Sequence, residues 1–567
     1  MTSEQRRLSH CAVPKDFALQ HYFVFCYYKY MKKKAIIYAE NTDRLLTLVN
    51  YLVQDDWEII SSGDTAEFLS KNLIPYTMEP SLSSVTKGHD RFTSLINLVI
   101  NSKFEETYDS YTSLDYEDAA SLLCVNIQPK YHSIARFLEE SSSENCIDLK
   151  HVSLIRAAAK NYSNVLILTD PEDYEEAIIQ LKTESISKQF RLYLAGKALN
   201  LTSAYDASCA YSILFQREQI DFPNYLIFPY KKEKRLAQGA NNHQQAWLYS
   251  QGLHNSALAG IKKIQGKEVD YNLIKNYFAA WNIVSMFLKI IKNPFEVPST
   301  DSSGYSYSTQ FTPAAVFVFT IGIKYGNPIG AALGTDVCNS FTKTLNCAPE
   351  TFDGATLGCS AVIDRDAALL LSKMTLDSII APDFTKEARE ILAKTNSLRL
   401  IVASNTVSGF YETATIDGGL LAQISDHTLF KHWNVVTTRR PTQAQIDAMA
   451  FGTMISLGAK SDSAIIINDS AAIGISFGQP NRRKAVLLAV EDAKECFKNG
   501  LTSSDTSAEI LVSDTSIPFD DKIRNAVEIG VKAIIQTGGS SSDQQLIDYC
   551  NENDIAMVFT GMRHIAF

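Results

Sequence analysis

The sequence predicts an α/β protein built from several compact regions, and three observations carry that expectation. Short apolar runs of strand type alternate with segments of helical period: Ala35–Tyr38, Trp57–Ile60, Leu122–Ile127 and Val165–Leu168 early, Ile379-Ile380 and Ala464–Ile467 late. Turns rich in Ser, Gly and Thr close several of those runs, as at Ser61-Ser62-Gly63-Asp64-Thr65. At 567 residues the chain is also too long for one core, so two to four domains are expected.

Composition narrows the class. A hydrophobic share of 46% and a charged share of 20% describe an ordinary globular protein. A net charge of −10 argues against general nucleic-acid binding, which wants a basic stripe, but leaves room for a small anionic ligand held by local cations. The ten cysteines are scattered without CxxC or paired Cys/His spacing, so a reduced cytoplasmic chain without structural zinc is expected. Phe17–Tyr30 is aromatic and apolar, but its basic cluster Lys32-Lys33-Lys34 follows it, the wrong polarity for a secretory signal. Met31-Lys32-Lys33-Lys34 reads like a start, so residues 1–30 are expected to be an extension, with a peripheral anchor as the alternative. The run is too short to span a bilayer, and no other segment is long and apolar enough.

In chain order, the strand 35–38 leads to a helix over 41–53 that Asn41 or Thr42 can cap. The second strand, 57–60, runs through Ser61, Ser62, Gly63, Asp64 and Thr65 into a helix from Ala66. Hydroxyls and free N–H groups at a helix start are a phosphate-cradle pattern, and equally a common structural cap. Residues 79–115 are Ser/Thr-rich and read as long loops. Val152–Asn161 is helical and carries Arg156 and Lys160 four apart on one face, a pair that can clamp a phosphate or simply face solvent. A helix over 175–185 completes an α/β domain with a mainly parallel sheet across 31–195.

A second region, 196–567, is expected to follow, opening with the helix around Gln189–Leu214. Gln238–Gln245 is an amide-rich loop, and 295–310 reads as a flexible insertion. Ala314–Ile323 then delivers Lys324 to a turn of Gly326, Asn327 and Pro328, from which small residues lead to Asp336 and a helix. A reactive side chain at the carboxyl end of a strand is a common arrangement in α/β enzymes; a buried strand with an incidental lysine is the plainer reading. Val362-Ile363 is a further strand, and Gly474–Arg482 (GISFGQPNR) a Gly-containing turn.

Several stretches, in order, resemble one family. Ile379–Ile401 (IIAPDFTKEAREILAKTNSLRLI), Val435–Thr442 (VVTTRRPT), Gly474–Arg482 and Ile555–His564 are similar to segments of the bifunctional purine-biosynthesis enzyme that joins AICAR transformylase to IMP cyclohydrolase. The likeness is dense from about residue 319 to the end and diffuse over 35–195. It implies a methylglyoxal-synthase-like amino-terminal domain that closes the ring of formyl-AICAR with loss of water. It implies two cytidine-deaminase-like subdomains after it, which move a formyl group from 10-formyltetrahydrofolate to the AICAR amine. It also implies a homodimer and no catalytic metal. By motif, the resemblance places Lys324 and Tyr325 at catalytic positions and Asn241, His243, Asn327, Gln479, Asp514 and Arg563 at substrate-binding positions. Ser61, Ser62, Gly63, Thr65, Arg156 and Lys160 fall at the cyclohydrolase-type phosphate site.

The chain departs from the family at reactive positions. Where the family has Lys-His-x-Asn-Pro, this chain has Lys324-Tyr325-Gly326-Asn327-Pro328, and a phenol with a pKa of about 10 is a poor base at neutral pH. Ala237 and Gln238 stand for an arginine and a tyrosine, Asp462 for an asparagine, and Asp64 for a glycine of the phosphate loop. The family's Arg-Val-Lys-Thr-Leu-His survives only as Arg91-Phe92-Thr93-Ser94-Leu95, and Gln128-Pro129-Lys130 replaces its Tyr-Pro-Phe, whereas Arg156–Asn161 is intact. Three readings remain at this point: a formyl-transferring enzyme with an impaired cyclohydrolase half; a catalytically silent paralogue that binds nucleotide or folate, or pairs with an active subunit; or a repurposed enzyme acting on another phosphoribosyl compound.

Overall fold

A computed structural model describes residues 33–78, 99, 120–127, 147–183, 185–214, 222–251, 256–311, 317–405, 407, 411–468, 470–498 and 509–567. The expectations for residues 1–30, for nearly all of 79–115 and for 128–130 lie outside the described residues. The chain forms two compact units, 1–230 and 231–567. Among the described residues no helix is long and apolar enough to cross a membrane.

The first unit holds β1 (Lys34–Ala39), α1 (Leu45–Gln54), β2 (Glu58–Ser61), α2 (Gly63–Lys71), β3 (Thr77–Met78), β4 (Ala120–Asn126), α3 (Leu149–Lys160), β5 (Leu166–Leu168), α4 (Tyr174–Lys182) and α5 (Lys188–Leu214). Its sheet runs β3-β2-β1-β4-β5 with every pair parallel. Covered on both faces, β1 and β4 read as continuous apolar runs instead of alternating ones. Strand order reverses between β1 and β4, which opens a crevice at their carboxyl ends. Two local expectations are corrected. Helix α1 starts at Leu45 behind a left-handed Arg44, with no side-chain cap; Asn41 instead accepts from the Asp43 N–H and holds Asn126. Helix α5, expected to open the second region, belongs to the first core, because Leu194, Ala195, Ala198, Tyr205 and Cys209 are buried in that cluster.

In the second unit a basic ribbon pairs β6 (Lys231–Arg235) with β7 (Trp247–Ser250), ahead of β8 (Ile261–Gln265) and α6 (Tyr271–Lys292). The chain continues through β9 (Phe295–Thr300), β10 (Ser306–Phe311), β11 (Val318–Lys324), β12 (Asn327–Gly334), α7 (Val337–Cys347), β13 (Thr356–Cys359), α8 (Arg365–Leu371), β14 (Ser378–Ala381), α9 (Lys386–Leu392) and β15 (Arg399–Ala403). An exposed two-stranded ribbon, β16 (Tyr411–Ile416) with β17 (Gly419–Ile424), separates this half from the next. The second half comprises β18 (Trp433–Val435), α10 (Gln443–Leu457), β19 (Ala464–Asn468), β20 (Ala471–Ser476), α11 (Arg482–Lys498), β21 (Ile510–Ser513), α12 (Asp521–Glu528), β22 (Ala533–Gln536), α13 (Asp543–Glu552) and β23 (Ala556–Phe559).

The order β10-β9-β18-β23-β22-β21-β19-β20-β12-β11-β13-β14-β15-β8 exposes an internal repeat. Apart from the hairpin β9–β10, which follows α6 and pairs with β18, each half runs strand, helix, antiparallel hairpin, then three helix–strand steps whose strands pair in parallel, and the hairpins β11–β12 and β19–β20 meet where Ala332 faces Ala471. Residues 295–310, expected to be flexible, form the hairpin β9–β10, whose inward Val297, Thr309 and Phe311 are buried. Phe311 packs on Phe295, Phe430 and Trp433. Val362-Ile363 is no strand; Ile363 makes only an isolated bridge to Phe384. Gly474 lies inside β20, not in a turn, because α11 crosses that strand so closely that a Cβ there would meet the Ala489 carbonyl oxygen at 2.0 Å.

Candidate functional site

In the second unit the site is organised by the turn of the β11–β12 hairpin. The turn is Tyr325-Gly326, and the expected turn residues Asn327 and Pro328 already belong to β12. Both turn residues have positive φ, 51° and 76°, the backbone whose twist matches a two-residue hairpin. Glycine suits the second position, whereas tyrosine holds the first at a conformational cost. Tyr325 is 81% exposed at the tip. Lys324 lies back along the strand, its Nζ donating to the carbonyls of Asp353 at 2.8 Å and Thr351 at 3.3 Å.

Two anchors fix this turn. The Gly326 N–H donates to Asn276 Oδ1 at 2.8 Å, and Asn276 is one turn along α6 from Asn272, whose amide donates to the Ala240 carbonyl at 2.9 Å. One face of α6 therefore holds both the hairpin turn and the amide-rich loop. Within that loop Asn241 spends its amide and its N–H on Gln244 Oε1, at 3.0 Å each, while His243 is exposed. Asn276 was not singled out from the sequence. Its only signal is the spacing of two asparagines, Asn272 and Asn276, four apart on one helix.

The second anchor is Asn327, 7% exposed, which accepts from the Lys460 N–H at 3.4 Å and donates to the Tyr325 carbonyl at 3.1 Å. Lys460 opens a polar network. Backbone bonds of 3.2 Å join Asp462 and Gln479 in both directions. Ser461 Oγ donates to Asp514 Oδ2 at 2.5 Å, and the Ser463 N–H donates to Asp514 Oδ1 at 3.1 Å. Burial pushes the Asp514 carboxyl above its ordinary range, against the downward pull of those two donors. The chain end closes the network: the His564 N–H donates to the Asp514 carbonyl, and Ala566 exchanges bonds with Ser461. The buried His564 ring faces Asp426 Oδ2 at 2.7 Å and the Leu429 carbonyl at 3.1 Å. Of the expected binding residues, Asn327, Gln479 and Asp514 thus converge, and Arg563 stands exposed beside them. The apolar strand ends and the sharp turns, not any contiguous motif, bring them together.

The first unit treats its expected phosphate residues differently. Ser61 is fully buried and donates to the Ile37 carbonyl at 2.8 Å. Thr65 Oγ1 accepts from the Ala39 N–H at 2.9 Å and donates to the Ala39 carbonyl at 3.3 Å. Ser61 therefore fastens β1 to the end of β2, and Thr65 fastens it to the start of α2. Ser62 is the N-cap residue, and α2 begins at Gly63, with φ of 60°, three residues before the expected start. Arg156 pairs with Asp206 of α5 at 3.2 Å, with both side chains more than half exposed. Lys160 sits in the last turn of α3, where the chain turns back towards the entry of β5; the Ser61–Gly63 turn lies at the exit of β2. The structure does not gather these six residues into one cradle.

Fold and site together define an α/β protein with a doubled hairpin region and a polar site at a hairpin turn. A family model described as the AICARFT/IMPCHase bienzyme matches residues 158–492. The bifunctional purine biosynthesis protein PurH of Clostridium acetobutylicum is 31% identical over 540 residues, covering 94% of this chain and 99% of that protein. The PurH proteins of Clostridium kluyveri and Clostridium botulinum match with the same identity and coverage. A solved structure, that of ForH, covers 32% of this chain and 98% of its own at 21% identity and a TM-score of 0.27, too low to carry an argument. The chain belongs to the AICARFT/IMPCHase bienzyme family.

Proposed function

We propose that this chain works in purine nucleotide biosynthesis as a formyltransferase and cyclohydrolase. The observation that carries the reading is full-length kinship: 31% identity over 94% of the chain and 99% of a bifunctional relative. In this reading the first unit is methylglyoxal-synthase-like and closes the ring of formyl-AICAR. The two halves of the second unit are cytidine-deaminase-like subdomains that transfer a formyl group from 10-formyltetrahydrofolate to AICAR, working as a homodimer. Lys324 and Tyr325 lie at the reacting centre; Asn241, His243, Asn327, Gln479, Asp514 and Arg563 hold the substrates; no metal takes part. The convergence of Asn327, Gln479 and Asp514 on one network supports the second unit as the formyl-transfer part.

The exposed Tyr325 favours a second reading, a silent paralogue that binds nucleotide or folate. Proton removal from a weakly nucleophilic amine calls for a group such as imidazole, and its loss typically costs about 10²–10⁴-fold. Formyl transfer by the purified protein, measured at high enzyme concentration against Tyr325→His, separates the readings. Slow but enzyme-dependent turnover in the unaltered chain, raised by roughly that factor in Y325H, supports the enzyme. No turnover until Tyr325 is replaced by histidine supports the paralogue, and no binding of AICAR or folate in calorimetry eliminates both.

A further inference from the structure

The segment that follows β23 carries a buried histidine whose charge its neighbours dictate. His564 Nδ1 faces Asp426 Oδ2 at 2.7 Å, and Nε2 faces the Leu429 carbonyl oxygen at 3.1 Å. A carboxylate and a carbonyl oxygen accept hydrogen bonds and have no proton to give. Each ring nitrogen therefore donates, and an imidazole that donates from both nitrogens is a cation. Only 3% of this side chain is exposed, and a buried cation is costly unless an opposite charge sits beside it. The Asp426 carboxylate is that charge, so the two residues form an ion pair.

What the pair joins gives it a role. Asp426 lies two residues past β17, and Leu429 and Phe430 are buried in the core, where Phe430 packs on Phe311 and Trp433. The partners of the ring are thus rooted in that core. The backbone of the same histidine is held from another side: its N–H donates to the Asp514 carbonyl at 3.2 Å. Two residues on, the Ala566 carbonyl accepts from the Ser461 N–H at 3.0 Å, and the Ala566 N–H donates to Ser461 Oγ at 3.2 Å. Ser461 follows Lys460, whose N–H donates to Asn327 beside the hairpin turn. His564 therefore ties the loop before β18 to the network that contains Asn327 and Asp514. Directly before it stands Arg563, exposed and without a hydrogen bond or ion pair among the described residues. A guanidinium left over beside a spent network suits an anion such as a phosphate, which it can grip with two parallel bonds.

We infer that Asp426 and His564 are a positioning pair for nucleotide binding: their ion pair seats the segment 563–566 so that the Arg563 guanidinium meets the phosphate of the nucleotide. The inference rests on the formyltransferase reading above for the identity of that nucleotide. Neither member of the pair touches the reacting atoms; both act through Arg563. An arginine whose backbone is already fixed loses less freedom when it closes on a phosphate, and so binds it more tightly. Without the pair, the bonds to Ser461 and Asp514 still hold the segment on one side. The fold then persists while the arginine loses its placement.

The test uses the full chain, with Asp426→Asn and His564→Gln as variants. D426N keeps an acceptor beside the ring but removes the balancing charge. Hydrogen exchange, read by mass spectrometry on the peptide covering 560–567, should quicken in both variants and stay unchanged in the rest of the second unit. In calorimetry each should bind AICAR about 10–100-fold more weakly, the worth of one hydrogen-bonded contact to a charged group. Arg563→Gln should cost the same, and D426N added to R563Q should cost nothing further, because both remove one interaction. A merely structural role would give losses that add. Additive losses, unchanged affinity in D426N and H564Q, or unfolding of both variants overturns the inference alone. No binding of AICAR by the unaltered chain, with exchange still quickened in the variants, overturns the nucleotide reading and the inference with it.

Discussion

The two units put the same kind of residue to different uses: joining segments distant in sequence in one, and fastening neighbouring strands in the other. In the second unit, polar side chains tie together turns and loops far apart in sequence: Asn327 accepts from the Lys460 N–H, Asn276 accepts from the Gly326 N–H of the hairpin turn, and Ser461 donates to the Asp514 carboxylate. In the first unit the Ser61 and Thr65 hydroxyls bond to the backbone of their own sheet, and Arg156 to a neighbouring helix. A Ser/Thr/Gly turn at a strand's end is therefore not evidence of a ligand cradle by itself. What decides is whether its hydroxyls have a backbone partner within reach, and the packing of α2 on β1 supplies one.

The strongest way to break this contrast is through two glycines. Gly474→Ala forces a Cβ to 2.0 Å from the Ala489 carbonyl, so α11 must move off β20; overpacking of this kind costs about 1–3 kcal/mol, and the high end is expected because the obstacle is backbone. Gly63→Ala meets nothing within 4 Å and carries only its left-handed φ, at about 1–2 kcal/mol. Urea midpoints of both variants measure the difference; equal losses would mean the first unit's turn is packed as tightly as the second unit's strand.

Next in size, Thr65→Val removes the acceptor of the buried Ala39 N–H, a loss of about 1–3 kcal/mol. Nucleotide binding to the first unit should weaken no more than the lost stability explains, since Thr65 is fastening β1. A selective loss of affinity with unchanged stability, seen by calorimetry and urea unfolding, would return Thr65 to the role of ligand contact. Asn276→Ala is the converse experiment in the second unit. It should cost about 1 kcal/mol by freeing the Gly326 N–H, and formyl transfer should fall further than that stability loss accounts for.

The smallest expected effect is a difference in sign with pH. The Asp514 carboxyl is raised in the folded chain, so the unfolded chain ionises first, and its contribution to stability falls as pH climbs above about 4. The carboxyl of Asp148, which caps α3 and accepts from His151, is lowered, so its contribution is present above about 4 and is lost as pH falls through the lower folded value. Comparing each Asn variant with the unaltered chain across the acid range should give slopes of opposite sign. Parallel slopes would show that the two carboxylates do not differ in environment as their burial and partners indicate.

Much of the alternation of strand and helix was legible, because β1, β4, β19 and β22 are buried on both sides and so read as unbroken apolar runs. Misreadings cluster where local chemistry is ambiguous. Residues 295–310 look loop-like from their Ser, Thr and Pro, yet alternate inward Val297, Thr309 and Phe311 along a hairpin. Helix α5 was assigned across a boundary because its period is the same whichever core it joins; only the burial of Leu194 and Ala198 shows which. The site was legible in part as residue types: Lys324 and Asn327 stand out in the strand and turn that carry them, whereas Gln479 and Asp514 come only from the family resemblance. Asn276 and the pairing of His564 with Asp426 were not legible, since an amide on a helix and a histidine far in sequence from its carboxylate carry little signal until the fold brings their partners to them.

The sequence by itself determined the class of the molecule: apolar periodicity set an α/β fold, and ordered matches along the chain set its family. Tertiary structure alone decided which polar groups are spent and which are left over. A hydroxyl or carboxylate has the same chemistry wherever it stands, but its hydrogen bonds depend on atoms within about 3 Å, and those come from strands and helices far away in sequence. That is why Thr65 closes on Ala39, and why His564 spends both ring nitrogens while Arg563 beside it stays exposed.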